Sequence, residues 1–371
     1  MDFYRKSFDA KLNRGKIFPV FIPFAGCPFQ CIFCSQETQT GKGEQSVFTA
    51  IKKAEKDFPV FLEQVKASRK DETQENVIDI AFYGGTFTAV PEQDFALCLD
   101  FFRFCKKLAE QHAVTVSGRC STRPDALAPE RLEQLKNAGI DLIELGIQSF
   151  DDTVLLKSKR GYCANQAAFA CRQVLDLGFK LGIQLMAGLP AQDQNIFLND
   201  VRKALDLTPR CLRYYPCLVP GGTGLAALFQ KKEYVPWTNE MCIETLGTAL
   251  HEAWLAKIPV IRLTVAPEQA FDENLLAGPR HPALGSDILS FALYILIKKA
   301  VSDLKTSWLQ NSKSPLPASA HAIHKILIPA RYQGCFFGTK NRHKNIYAEL
   351  LPLEKFVFDD TLQREIEIIR Q

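Results

Sequence analysis

Long apolar runs are scarce in this chain of 371 residues. The longest, Ile288 to Ile297, is about half of the ~20 residues a helix needs to cross a bilayer, so it is expected to form a buried helix. The opening residues, MDFYRKSFDAKLNRGK, are charged and lack the apolar core of a secretory leader, which sets the expectation of a cytoplasmic protein with no membrane partner. A second C-x2-C pair is also missing. Cys31 with Cys34 is the one pair at that spacing, which leaves a structural zinc ion short of ligands. A cytosolic setting disfavours disulfides as well. Charge is nearly balanced: a net +4 and a pI near 8.4 admit an anionic partner without demanding one. No internal repeat is evident.

What is present begins with FIPFAGCPFQCIFC, Phe21 to Cys34, directly after an apolar strand candidate at Ile17 to Ile22. Its cysteines, Cys27, Cys31 and Cys34, fall at C-x3-C-x2-C. Thiolates are the usual ligands of iron–sulfur clusters, and three of them leave one iron of a four-iron cluster open to another ligand. Gly26 is expected to let the loop fold tightly and Pro28 to stiffen it, with Phe24, Phe29 and Phe33 shielding the cluster from water. The other cysteines are scattered. Cys98 and Cys105 share an apolar helical stripe with Phe95, Phe102 and Leu108 and read as core residues.

With 47% hydrophobic residues the chain can bury a large core, and its length suggests one large domain with an appendage. Gln45 to Lys70 is helical in pattern, with Pro59 expected to divide it. Strands are then predicted at Val77 to Tyr83, Val114 to Cys120, Leu142 to Gln148, Lys180 to Met186, Arg213 to Val219 and Pro259 to Val265. Helices are predicted between them at Glu92 to Gln111, Glu130 to Ala138, Asn165 to Leu177, Ile196 to Leu207 and Thr238 to Ala256. This alternation implies an α/β fold with right-handed parallel connections, best matched by a partial or complete (β/α) barrel. Barrel active sites lie at the C-terminal strand ends, where the cysteines, Gly84, Gly85, Ser121, Gln148, Gln184 and Tyr215 fall. Past Val265 the pattern breaks up: a helix at Ile288 to Leu309, a Pro/Ser linker SKSPLPAS, and short strand candidates at Ile326 to Ala330, Gly334 to Thr339 and Ile346 to Leu351. The expected division is a barrel of residues 1–265 and a smaller α+β extension of residues 266–371 that covers the barrel mouth.

Taken together, CPFQCIFC, FYGGTF, STRPDAL, ELGIQSFDDTVL, KRGY and QLMAGLP resemble the radical S-adenosylmethionine (SAM) superfamily. The likeness is closest to the branch of the Elongator catalytic subunit and the oxygen-independent coproporphyrinogen oxidase. It runs in order from Phe21 to about Pro190 and extends into RYYPCLVPGGT. The resemblance implies that Cys27, Cys31 and Cys34 hold a 4Fe–4S cluster whose open iron takes the amino and carboxylate groups of SAM. One electron, supplied by a reductant such as flavodoxin or ferredoxin, then yields methionine and a 5'-deoxyadenosyl radical. It also implies that Gly84, Gly85 and Thr86 lie beside the SAM amino group, and that Ser121, Gln148, Arg160 and Gln184 contact ribose or the methionine moiety. Arg160 suits a carboxylate, and Phe21 and Phe33 stand near SAM. Ser121 and Gln184 depart from the oxidase pattern, which is acidic at both places. Read alone, the glycine pair is better explained by a tight strand-to-helix turn.

The chain is expected to lack the acetyltransferase domain of the Elongator subunit, and it shows neither a second cysteine-rich region nor an evident cobalamin domain. The leading expectation is a radical SAM enzyme with an unidentified substrate, RNA such as tRNA by analogy. The alternatives are a porphyrin-modifying enzyme like the oxidase, or a haem chaperone on the same scaffold. The basic run KNRHK, Lys340 to Lys344, reads first as a solvated turn and His281 as a brace for its own turn.

Overall fold

The computed structural model describes residues 3–8, 15–22, 26–27, 31–34, 46–68, 77–265, 269–311 and 323–370. Phe24, Pro28, Phe29 and the SKSPLPAS linker lie outside the described residues.

Seven strands form one parallel sheet: β2 (Lys16–Phe21), β3 (Val77–Tyr83), β4 (Thr115–Thr122), β5 (Ile140–Gln148), β6 (Lys180–Ala187), β7 (Cys211–Pro216) and β9 (Val260–Leu263). They are hydrogen-bonded in that order, and β2 and β9 stay unpaired with each other, so the sheet curls into a partial barrel. Helices follow the strands on the outside: α1 (Val47–Ala67), α2 (Glu92–Glu110), α3 (Pro129–Ala138), α4 (Asp152–Lys157), α5 (Ala164–Asp176), α6 (Gln194–Asp206), α7 (Gly224–Gln230) and α8 (Asn239–Leu255). Side-chain caps fix where several begin. Ser46, Asp151, Asp193 and Thr238 accept from the backbone N–H groups of Thr49, Val154, Ile196 and Met241.

Pro59 does not divide α1; the helix runs through it. Ile51, Ala54, Phe58, Leu62 and Val65 form an unbroken buried stripe on both sides of the proline. A proline inside a helix costs about 3 kcal/mol, and burying two side chains such as Phe58 and Leu62 contributes roughly that much or more.

A pair of short strands, β8 (Val219–Pro220) and β10 (Leu275–Ala277), ties the end of β7 to α9 (Gln269–Glu273). Farther on, α10 (Leu284–Asn311) packs along α8, and its Ile288, Leu293, Leu296 and Ile297 belong to the same buried cluster as the barrel core. This helix is part of the barrel's packing, whereas Phe271 of α9, among the described residues beyond 265, lines the cavity at the barrel mouth.

The remaining sheet has the order β1-β13-β11-β12, from β1 (Phe3–Ser7), β11 (Ile323–Pro329), β12 (Phe356–Asp359) and β13 (Glu365–Arg370). It borrows its first strand from the start of the chain, which pairs antiparallel with β13. Two strand candidates here are corrected. Gly334 to Thr339 is a series of turns, and Ile346 to Leu351 is mostly α11 (Lys344–Leu350). Their apolar residues serve an aromatic cluster instead of a ladder: Phe336 lies 4.3 Å from Tyr347 and 5.6 Å from Phe356, ring centre to ring centre. Short apolar runs do not by themselves separate strand from helix. Within KNRHK, Arg342 pairs with Asp287 and Glu240, and His343 is buried. His281 stands 3.3 Å from Asp287 and accepts from the Ala283 N–H at the same distance, bracing its turn.

Candidate active site at the cysteine loop

Parallel strands deliver their C-terminal ends to one rim, and the cysteine loop leaves that rim after β2. Cys31 is buried, and Cys27 and Cys34 are partly so. Burial, together with the nearby Cys31 and Cys27 sulfurs, pushes the Cys34 thiol up to about 12. Two arginines reach Cys31: Arg160 Nη1 donates to its Sγ at 2.9 Å and Arg123 Nη1 at 3.4 Å. Cys27 Sγ lies 3.2 Å from the hydroxyl of Thr86, which is fully buried. Among the described residues no three His, Cys, Asp or Glu side chains converge to share one metal ion. A four-iron cluster asks for something different, since each cysteine holds its own iron.

Beside the loop is a cavity of about 370 Å³, whose lining includes Phe21, Phe33, Cys34, Gln148, Gln184, Met186, Tyr215 and Phe271. Gln148 sits where the β5–β6 register shifts and adopts a left-handed φ of 67°, which turns it toward the cavity. Its Oε1 is buried and has no hydrogen-bond partner among the described residues. Buried polar atoms are rarely left so, and here an acceptor waits for a donor. The donor set of the loop and this acceptor fit a 4Fe–4S cluster with a polar ligand beside it.

Gly84 is explained by the backbone. At φ 94°, a Cβ there would stand 2.2 Å from the Ile22 carbonyl oxygen, so the turn itself demands glycine; Gly85 also has positive φ. Arg160 is fully engaged: besides Cys31 it donates from Nε to Tyr162 Oη at 2.9 Å and from Nη2 to the Gly146 carbonyl. A buried guanidinium must satisfy its donors, and these partners hold it against the loop. Ser121 accepts from Gln184 Nε2 at 3.3 Å. Phe33, Gln148 and Gln184 thus share the cavity, whereas Gly84, Gly85, Thr86, Ser121 and Arg160 are not among the residues that line it.

Sequence reasoning missed the barrel interior. Asp79, Arg119, Glu144 and Arg213 sit within strands β3, β4, β5 and β7 and meet one another inside the barrel. Glu144 is 1% exposed and meets Arg213 Nε at 2.5 Å and Arg119 Nη1 at 3.5 Å. Arg213 also donates to Tyr83 Oη at 2.6 Å and Tyr215 Oη at 3.1 Å, and Arg119 pairs with Asp79. Burial and the neighbouring Glu144 push the Tyr83 phenol up to about 12. Gly182 makes room: a Cβ there would stand 2.9 Å from the Glu144 Cγ. Gln184 touches Glu144 Oε2 at 3.4 Å and so joins this network to the cavity. A lone charge inside an apolar run such as VIDIAFY or LIELGIQ was the available signal.

Asp200 of α6 was missed too. Its carboxylate accepts from Ser149 Oγ at 2.6 Å, the Phe150 N–H at 2.8 Å and Gln192 Nε2 at 3.2 Å. Gln192 in turn accepts from the Gly188 and Leu189 N–H groups. One buried carboxylate therefore pins the loops after β5 and β6, including the turn that follows Gln148.

Comparison with known proteins agrees with this geometry. A tRNA uridine(34) acetyltransferase of Methanocaldococcus infernus is 31% identical over 189 residues, covering 46% of this chain and 35% of that protein. The heme chaperone HemW of Bacillus subtilis is 28% identical over 150 residues, 40% of this chain and 38% of its own length. The chain thus spans little more than a third of these curated relatives. Among solved structures, the archaeal M. infernus Elp3 with an N-terminal deletion superposes with a TM-score of 0.56 at 20% identity, over 75% of this chain and 62% of that one, a likeness of fold. The model of the radical SAM superfamily matches residues 21–204, and that of the Radical_SAM C-terminal domain matches residues 209–289, together more than half of the chain. A family that works with a 4Fe–4S cluster and SAM accounts for the cysteine loop, the arginines on Cys31 and the waiting acceptor in the cavity, and this chain belongs to the radical SAM superfamily.

Proposed function

We propose that Cys27, Cys31 and Cys34 hold the 4Fe–4S cluster and that SAM occupies the adjoining cavity. The observation that carries this reading is Cys31, buried beneath two arginine donors and joined by its carbonyl to the N–H of Cys34, which lines a cavity with Phe33, Gln148 and Gln184. When bound, the cluster supplies the electron that splits SAM into methionine and a 5'-deoxyadenosyl radical. Arg160 and Arg123 steady the charge on Cys31. Gln148 Oε1 accepts a hydrogen bond from an amine or hydroxyl of SAM. Gln184, oriented by Ser121 and Glu144, contacts the nucleoside, and Phe33, Met186 and Leu218 keep water from the radical. Gly84 and Gly85 bring the backbone near, and Thr86 positions Cys27.

We take the substrate to be RNA of the tRNA class. Support comes from the M. infernus tRNA uridine(34) acetyltransferase, of which this chain matches 35%. The division into residues 1–265 and 266–371 belongs to the same proposal, with β1 crossing it to join β13. None of the described helices is long and apolar enough to cross a membrane, and we propose a cytoplasmic setting.

The test is anaerobic reconstitution of the full chain and of a variant with all three cysteines changed to alanine. Iron and sulfide should appear in the first and vanish from the second, and reduced protein with SAM should slowly form 5'-deoxyadenosine. Full iron content in the variant would end this reading. RNA from a deletion strain should lack a modification present in the parent. Tight stoichiometric haem binding would instead favour the chaperone.

A further inference from the structure

Outside the cavity just described, one surface lies close behind the cluster cysteines. It is a concavity of about 580 Å³ between α4 and the start of α5, lined by Asp152, Leu156, Lys159, Gly161, Tyr162, Cys163 and Gln166. It shares no lining residue with the cavity beside Cys34. Two contacts separate it from a cluster ligand: Tyr162 Oη accepts from Arg160 Nε at 2.9 Å, and Arg160 Nη1 donates to Cys31 Sγ at 2.9 Å. The same turn touches the cysteine loop again, where the Ile32 N–H donates to the Ser158 carbonyl at 3.4 Å.

The surface is dressed for a partner. Leu156 is 76% exposed and Phe169, one turn beyond Gln166 on α5, is 66% exposed. Lys157, Lys159 and Arg172 are exposed around them. The nearby acids serve the backbone: Asp151 accepts from the Val154 N–H at 3.0 Å and Asp152 from the Ala164 N–H at 2.6 Å. An apolar centre at which three exposed cations outnumber the exposed Asp152 carboxylate suits a small acidic partner that must bind briefly and leave.

We propose that this surface docks the one-electron donor of the enzyme, an acidic flavoprotein of the flavodoxin class, and passes the electron toward Cys31 along Tyr162 and Arg160. The inference rests on the cluster reading above. In the transfer the reduced flavin loses one electron and the cluster gains one, with no bond made or broken. RNA is the competing occupant of a basic, aromatic patch, but it has no need of a short path to a cluster ligand.

The experiment uses the cluster-loaded full chain, a Leu156→Glu/Lys159→Glu variant and a milder Lys157→Glu variant. Affinity for flavodoxin is measured by calorimetry at two salt concentrations, and 5'-deoxyadenosine formation is driven in parallel by reduced flavodoxin and by dithionite. The double variant should lose about tenfold or more in affinity, and Lys157→Glu a few-fold, with salt weakening the unaltered protein most. Flavodoxin-driven turnover should fall in step while dithionite-driven turnover and iron content hold. Unchanged affinity in both variants, or no binding by the unaltered chain, overturns the proposal. So does a tRNA probe whose binding is lost from the variants while that of flavodoxin is not. If dithionite produces no 5'-deoxyadenosine from the unaltered chain, the cluster reading has failed, and the binding arm still decides the docking surface.

Discussion

Inside the seven-stranded barrel the strand centres carry Asp79, Arg119, Glu144 and Arg213, whereas the four-stranded sheet packs Ile326, Ile328, Ile366 and Ile368 toward Phe336, Tyr347 and Phe356. Glu144 and Arg119 are buried in the first and Asp79 and Arg213 are partly so, whereas the named residues of the second are buried. The first carries ionised groups that cost several kcal/mol each to desolvate and are kept only with partners. The second is held by apolar area and offset or edge-on aromatic contacts, which need no exact charge balance. The contrast separates a region built to present polar groups to a cavity from one built to hold the chain together. Arg213 fixes Tyr215, and Glu144 fixes Gln184, both on the cavity wall.

The largest effect that would break this contrast is removal of residues 266–371. Deletion takes away α10, whose Ile288 and Ile297 are buried with the barrel core, and it strands β1 without β13. The expected product is aggregated and free of iron, as circular dichroism and iron analysis would show. A soluble, cluster-loaded barrel would mean the region is dispensable after all.

Next comes Glu144→Ala, which leaves Arg213 and Arg119 facing each other with Asp79 as their remaining carboxylate. Breaking a buried pair in this way costs about 3–5 kcal/mol. Urea unfolding should show that loss, and SAM affinity should fall as well because Gln184 and Tyr215 lose their anchors. Stability lost with SAM affinity intact would disconnect the network from the cavity.

Phe336→Ala sharpens the other side of the comparison. Truncating a fully buried phenylalanine costs roughly 3–5 kcal/mol, at the lower end where neighbours collapse into the space. Here the loss should come with unchanged SAM affinity and iron content. Calorimetry on the folded variant checks this, and weakened SAM binding would show that the aromatic cluster also supports the site.

The smallest effect concerns pH. Burial raises the Asp200 carboxyl from its ordinary 3.8 to about 6. The folded state therefore holds its proton better than the unfolded one, so the contribution of Asp200 to stability is greatest below about pH 4 and declines as pH rises through about 6. Relative to Asp200→Asn, the unaltered protein should lose on the order of 2 kcal/mol between those limits. Parallel pH–stability curves for the two proteins would contradict the assignment.

Much of the fold was legible because local signals agreed with one another. Apolar strands such as Leu142 to Gln148 alternate with capped amphipathic helices, and Gly139 and Gly178 close helices where expected. The elements around the C-terminal sheet were less so. Phe356–Asp359 and Glu365–Arg370 are short and flanked by charge, and Phe3–Ser7 becomes a strand only through a partner more than 350 residues away in the chain.

By itself the sequence determined the parallel barrel, the three-cysteine loop and the family, because those depend on residue type at fixed local spacing. The tertiary structure alone decided that Arg160 braces Cys31, that Glu144 and Arg213 meet inside the barrel, and that Asp200 pins two loops. Each of these joins residues from different elements, and a charged side chain in a sequence carries no mark of which opposite charge will bury it. Only the register of neighbouring strands, set by hydrogen bonding across the whole sheet, brings such partners within reach.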